Sequence, residues 1–131
     1  MPDYNFKPEF AEAVRTGRKC QAIRKTRRGA RVGDRAVLYT GQRTKACEKL
    51  GEGVITEIQA ICIDRWDDGD VWIGLDLDTA NSGAYFPISM DEETALARAD
   101  GFDSAESMAM WFEKQYGPLP FFGFVHKWRL E

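Results

Sequence analysis

The chain has 131 residues, 44% of them hydrophobic and 12% aromatic, and a formal net charge of −3. That composition excludes a disordered tail, and the length suits one domain over residues 1–131 with a single real core. No apolar run approaches the roughly 20 residues that a membrane span needs, and "MPDYNFKPEF" lacks the basic start and apolar centre of a signal peptide, so no membrane contact is expected.

In chain order, "PEFAEAVRTG" reads as a short helix. Pro8 suits its first turn, Phe10, Ala13 and Val14 form an apolar stripe, and Gly17 fits just past its end. "KCQAIRK" reads as a strand, followed by a basic loop and a Gly33-Asp34 turn into a second strand, "RAVLYTG". Gly53 to Trp66 is a long β-rich run whose alternation breaks after Ala60, which predicts a bend or bulge there. "DDGD" turns that run into "VWIGLDL". "SMDE" and "DSAE" match capping boxes, with Ser89 and Asp103 as caps answered by Glu92 and Glu106, and open helices over 91–99 and 104–116. Ala105, Met108, Trp111, Phe112 and Gln115/Tyr116 form the inward stripe of the second. An aromatic strand, "FFGFVHKWRL", closes the chain after "GPLP". The expected class is α+β: a small mixed barrel of five or six strands, an N-terminal helix and two helices before the last strand.

Charge is divided unevenly. Twelve Lys and Arg side chains fall between Arg15 and Lys49 against only Asp34 and Glu48, a local +10, while the rest of the chain carries −13. A positive patch on an acidic body suits an anionic ligand better than nonspecific coating of DNA. The plainer alternative is that these cations pair with the acidic half across the fold. Three scattered cysteines (Cys20, Cys47, Cys62) and one histidine (His126) make neither a disulfide framework nor a recognisable metal site. Free thiols in a reducing cytoplasm, with no metal and no cofactor, are expected. Oligomeric state is left open, with a monomer favoured.

A helix, then "TGRKCQAIR", "GDRAVLYTGQRTKAC", a long strand, "ARADGFDSAESM", a helix and a last strand ending in Trp follow one another in a recognisable order. Over about Phe6 to Trp128 this arrangement resembles the ASCH family, in its branch with a YTGQRT loop. The resemblance implies a PUA-like β-barrel with a cleft for RNA, a nucleotide or a modified nucleoside. Some relatives are implied to be enzymes: an amidohydrolase acting on N4-acetylcytidine, and a ribonuclease. In the amidohydrolase branch the reaction is implied to need a Lys, a Thr three residues later and a carboxylate before the second helix. Those positions fall on Lys19, Ala22 and, approximately, Asp100, where that branch has Glu. Ala22 departs from the pattern and offers no nucleophile. Cys20, two residues away and about 7 Å along a strand, is a poor replacement against the ~3 Å needed for attack.

Two functional classes follow: a binding module for RNA or a nucleotide or nucleoside, and a hydrolase using Lys19 and Asp100. Lys19 either neutralises a phosphate or polarises a carbonyl oxygen, or is a solvated strand-end lysine. Arg24 either clamps a phosphate bidentately or pairs with a carboxylate such as Asp100. In the loop after the second strand, Arg43 with Gln42 and Thr44 either closes over a ligand or is an ordinary hairpin. Asp100 accepts amino protons if ionised, and Asp-Gly is also a common helix stop. Lys25, Arg27, Arg28 and Arg31 are the candidate nucleic-acid contacts. Tyr39 is a candidate cleft residue and Trp66, expected at the surface, a candidate stacking ring. Trp72, Trp111, Trp128 and His126 read as structural.

Overall fold

Eighteen consecutive residues rich in β-branched side chains, Glu48–Arg65, form the strand around which the sheet is built, β4. The computed structural model describes residues 2–76 and 84–131. β7 (Phe121–Leu130) runs antiparallel along one edge of β4, from Gly53 to Ile63. The opposite edge is divided between β3 (Arg35–Thr40), paired with Glu48–Val54, and β5 (Val71–Asp76), paired with Ile61–Arg65. The predicted strand therefore begins five residues earlier than the pattern suggested. Its irregularity also lies earlier, between Ile55 and Glu57, where the register with β7 shifts. Alternation does break at Ala60, because Ala60 through Ile63 are all buried. Leu77, the end of the predicted "VWIGLDL" strand, lies outside the described residues.

β1 (Asp3–Phe6) lies parallel to β3 and β6 (Tyr85–Pro87) pairs antiparallel with β5; neither was predicted. Parallel neighbours need a long crossover, and here it contains helix α1 (Pro8–Arg15) and strand β2 (Gln21–Arg24), which pairs with β7. The architecture is α+β with three helices and seven strands among the described residues, more strands than expected. It is not a closed barrel. The path β1-β3-β4-β7-β2 brings its two edge strands together without pairing them.

Side chains join that seam where backbone bonds do not. Arg24 Nη2 donates to the Asn5 carbonyl at 3.0 Å. Tyr4 Oη lies 2.8 Å from His126 Nδ1, and His126 Nε2 lies 3.1 Å from the Thr26 carbonyl. A carbonyl can only accept, so Nε2 carries the proton and Nδ1 accepts from Tyr4. His126 is thus a structural link between β1, β7 and the start of the basic loop.

α2 (Met90–Ala99) begins at the predicted Ser89–Glu92 capping box. It is held on the sheet by Glu93, whose Oε2 accepts from the Ile73 amide at 2.8 Å. α3 (Ala105–Tyr116) corrects the second prediction: its cap is Ser104, answered by Ser107, not Asp103 and Glu106. Glu106 is committed elsewhere, both its oxygens accepting from Arg65 at 2.8 and 2.7 Å. The buried side chains form two clusters. One, around Tyr4, Phe6, Val14, Leu38, Ile55 and Trp128, lies toward α1. The other, around Ile23, Ile61, Ile73, Met108 and Phe112, lies under α2 and α3.

Burial holds the pKa of His126 down at about 4, against about 6.5 for a solvated histidine. Between those values the unfolded chain takes up a proton that the native state refuses, so stability is full above pH 6.5 and falls as pH drops toward 4. The histidine contribution is on the order of 3 kcal/mol. Urea denaturation at pH 7.0 and 4.5 should show this loss, and His126→Gln should remove most of the difference. An equal pH dependence in both proteins would contradict it.

Candidate functional site

α2 stops where the sequence predicts, at Asp100-Gly101. Gly101 has φ +99°, its amide donates to the Arg98 carbonyl, and the Phe102 amide reaches back to Ala97 at 2.9 Å. This is a Schellman stop, and it needs a residue that tolerates the left-handed region. A side chain at Gly101 would also come within about 3.0 Å of the Phe10 ring. The stop leaves the Asp100 carbonyl and carboxylate aimed at one lysine.

That lysine is Lys19, in the connection between α1 and β2. Its Nζ donates to the Asp100 carbonyl at 2.7 Å and lies 3.1 Å from Asp100 Oδ1. Gln21 Nε2 adds a bond to the same Oδ1 at 3.2 Å and another to the Leu96 carbonyl. Lys19 is 4% exposed and Asp100 5%. Burial pulls the lysine's pKa down and pushes the carboxyl's up, while their mutual attraction opposes both shifts. The rings of Phe10 and Phe6 lie 5.3 and 5.7 Å from the ammonium and supply further favourable field.

The pair forms the floor of a cleft of about 270 Å³, located where the two buried clusters meet. Arg24 stands at its side, stacked 5.3 Å over Phe6. Phe10, Phe102, Trp111 and Tyr116 supply ring surfaces, and Asn5 and Gln115 supply amides at its edge. Phe10, Phe102 and Trp111 contact one another edge-on or tilted, with centroids 5.6 to 6.0 Å apart. Such a cavity accepts a flat, partly polar ring, with a cation beside it for an attached anion.

Three of the predicted site residues therefore converge: Lys19, Arg24 and Asp100. Lys19 is not a solvated strand-end lysine, and Arg24 pairs with no carboxylate among the described residues. Tyr39, Gln42, Arg43 and Thr44 do not line the cleft. The Gly41 loop is held against β1, with Gln42 bonded to Asn5 Oδ1 and Asp3, and Thr44 folded back onto the Gly41 carbonyl. Arg43 is exposed at φ +65°. Tyr39 sits in β3 opposite Asn5 and Lys49. Trp111, read as core, is a cleft wall; Trp128 is core, and Trp72 stacks on the exposed Trp66 at 5.0 Å.

Ala22 is fully buried in the cluster with Tyr4 and Trp128 and does not line the cleft. Cys20 donates its thiol to the Gly17 carbonyl at 3.1 Å, and burial pushes its pKa up, the opposite of an activated thiolate. Neither Cys20 nor any Ser or Thr is among the lining residues. Of the basic segment, Arg15, Arg35 and Lys49 are paired with carboxylates. Lys25, Arg27, Arg28 and Arg31 are exposed and form no ion pair among the described residues. The aromatic lining was missed because its members come from β1, α1, the α2–α3 turn and α3. The chain matches no family model, no curated protein and no solved structure.

Removing one member of a buried ion pair leaves the other without compensation, which costs about 3–5 kcal/mol. Lys19→Met should lose that much by urea denaturation at pH 7. Asp100→Asn added to the same chain should recover at least a third of it. A double variant less stable than Lys19→Met alone would show that the two groups are not coupled in this way.

Proposed function

We propose that the chain is an ASCH-type, PUA-like domain that binds the base of an RNA nucleotide, a free nucleotide or a modified nucleoside in the cleft floored by Lys19 and Asp100. The observation that carries this reading is the convergence of that ion pair, Arg24 and the aromatic walls on one cavity of about 270 Å³. A base stacks against the rings. Asp100 Oδ1 is taken up by Lys19 and Gln21, while Oδ2 makes no hydrogen bond among the described residues and can accept from an exocyclic amino group such as cytosine N4. Arg24 meets the phosphate. The exposed cations Lys25, Arg27, Arg28 and Arg31, on the loop after β2, attract a polyanion, Lys25 beside the cleft residue Tyr116.

Binding without acetylcytidine hydrolysis is favoured because the cleft lining offers no serine, threonine or cysteine nucleophile. The hydrolase alternative would need Lys19 to act as a base. Its amine is instead engaged twice by Asp100.

Calorimetry with N4-acetylcytidine, cytidine and cytidine monophosphate should detect binding, and no acetate should be released. Arg24→Ala should weaken the monophosphate by about tenfold or more, as expected for a charged hydrogen bond, and leave cytidine within about threefold. Acetate release by the native protein would overturn the noncatalytic reading, and no binding of any of these would overturn the site. For RNA, log affinity should fall linearly with log salt, and Arg27→Ala with Arg28→Ala should flatten that slope by about 1.4. Salt-independent RNA binding would remove the basic loop from the interface.

A further inference from the structure

The cleft does not end at Tyr116. Tyr116 also lines a second, more open hollow together with Lys25, Thr26, Pro120, Phe121 and Phe122. Strand alternation in β7 buries Phe121 and Gly123 and turns Phe122 outward, where it is 53% exposed. Tyr116 is 41% exposed, stacked on Phe112 at 5.6 Å and supported by Phe121 at 5.0 Å. Lys25 Nζ stands 5.2 Å from the Tyr116 ring and has no ion-pair partner among the described residues. Gly123 brings these parts together. A Cβ there would lie 2.5 Å from the Arg24 carbonyl, so glycine is what lets β7 approach β2 at the residue joining cleft to hollow. Consecutive residues of one strand end then serve the two places: Arg24 lines the cleft and Lys25 the hollow.

We infer that the ligand is a short single-stranded oligonucleotide read at two consecutive positions. One base enters the cleft over Lys19 and Asp100, the next stacks on Phe122 and Tyr116, and Lys25 meets the phosphate between them. This rests on the cleft being a nucleobase site. Exposed rings beside an unpaired cation are the elements that bind unstacked bases on a charged backbone. A duplex, whose bases are already stacked inward, cannot offer them. RNA and DNA share this chemistry, and the cleft's preference between them is read by comparing sugars.

The test compares the four nucleoside 5′-monophosphates with the corresponding ribo- and deoxyribo-homotetramers, by calorimetry at fixed salt. For the base that binds best, the tetramer should exceed the monophosphate by about 5- to 150-fold, the value of one added stacked base. Phe122→Ala, a surface change, should remove most of that gain and leave the monophosphate within about twofold. Lys25→Ala should reduce the tetramer's advantage and its salt slope. A tetramer that binds no better than its monophosphate overturns the second position while leaving the cleft intact. Equal weakening of both ligands by Phe122→Ala overturns it as well. Failure of monophosphates and tetramers alike removes the cleft reading itself, and this inference with it.

Discussion

One buried ion pair, Lys19 with Asp100, ties the front of the chain to its back. Lys19 leaves α1 on its way to β2, and Asp100 ends α2. Burying two charges costs several kcal/mol each and is repaid only with good geometry and further hydrogen bonds. Here the helix end supplies its carbonyl, Gln21 its amide, and Phe6 and Phe10 their ring faces. A carbonyl at a helix C-terminus also carries partial negative charge, which favours the ammonium. The pair is better understood as fixing the position of α2 and the α2–α3 turn over the sheet than as a large net source of stability. It also leaves two polar groups at the bottom of a cavity whose walls are largely aromatic, with Arg24 at its side.

The cavity exists because the sheet stops short of closing. Its edge strands β1 and β2 approach each other, but Arg24, Tyr4 and His126 bridge them in place of a hydrogen-bond ladder. A closed ladder would have used the backbone groups on both edges and brought the strands to about 4.8 Å. The unpaired seam instead lets Arg24 and the aromatic residues of α1 and α3 meet over the ion pair. The exposed cations of the loop after β2 follow directly on Arg24, which lines the cleft, and the first of them, Lys25, stands 5.2 Å from the ring of Tyr116, another lining residue.

Much of the fold was legible along the chain. The Ser89–Glu92 box, Pro8 at a helix start and the Asp100-Gly101 stop each act through neighbouring residues, and each stands where predicted. Asp103–Glu106 has the same pattern and failed, because Arg65, 41 residues away, holds the Glu106 carboxylate. β1 was missed because four residues paired parallel to a distant strand leave no local turn signal. The loop residues Gln42, Arg43 and Thr44 were drawn toward the site by motif order alone. The bonds of Gln42 to Asn5 and Asp3 hold the loop beside β1 instead, and Thr44 bonds within the loop.

By itself the sequence determined the three helices and strands β2, β3, β4, β5 and β7, the uneven charge, the absence of a hydroxyl at Ala22 and the candidacy of Lys19, Arg24 and Asp100. These depend on residue type and near neighbours. Only the tertiary structure decided that Lys19 and Asp100, 81 residues apart, share a hydrogen bond in a buried floor. It also decided that Ala22 faces the core and that Phe6, Phe10, Phe102 and Trp111 surround a cleft. Burial, and with it the pKa shifts of Lys19, Asp100 and His126 and the ring contacts of Phe10 with Phe102 and Trp111, is set by what distant parts of the chain place nearby, and no local pattern encodes that.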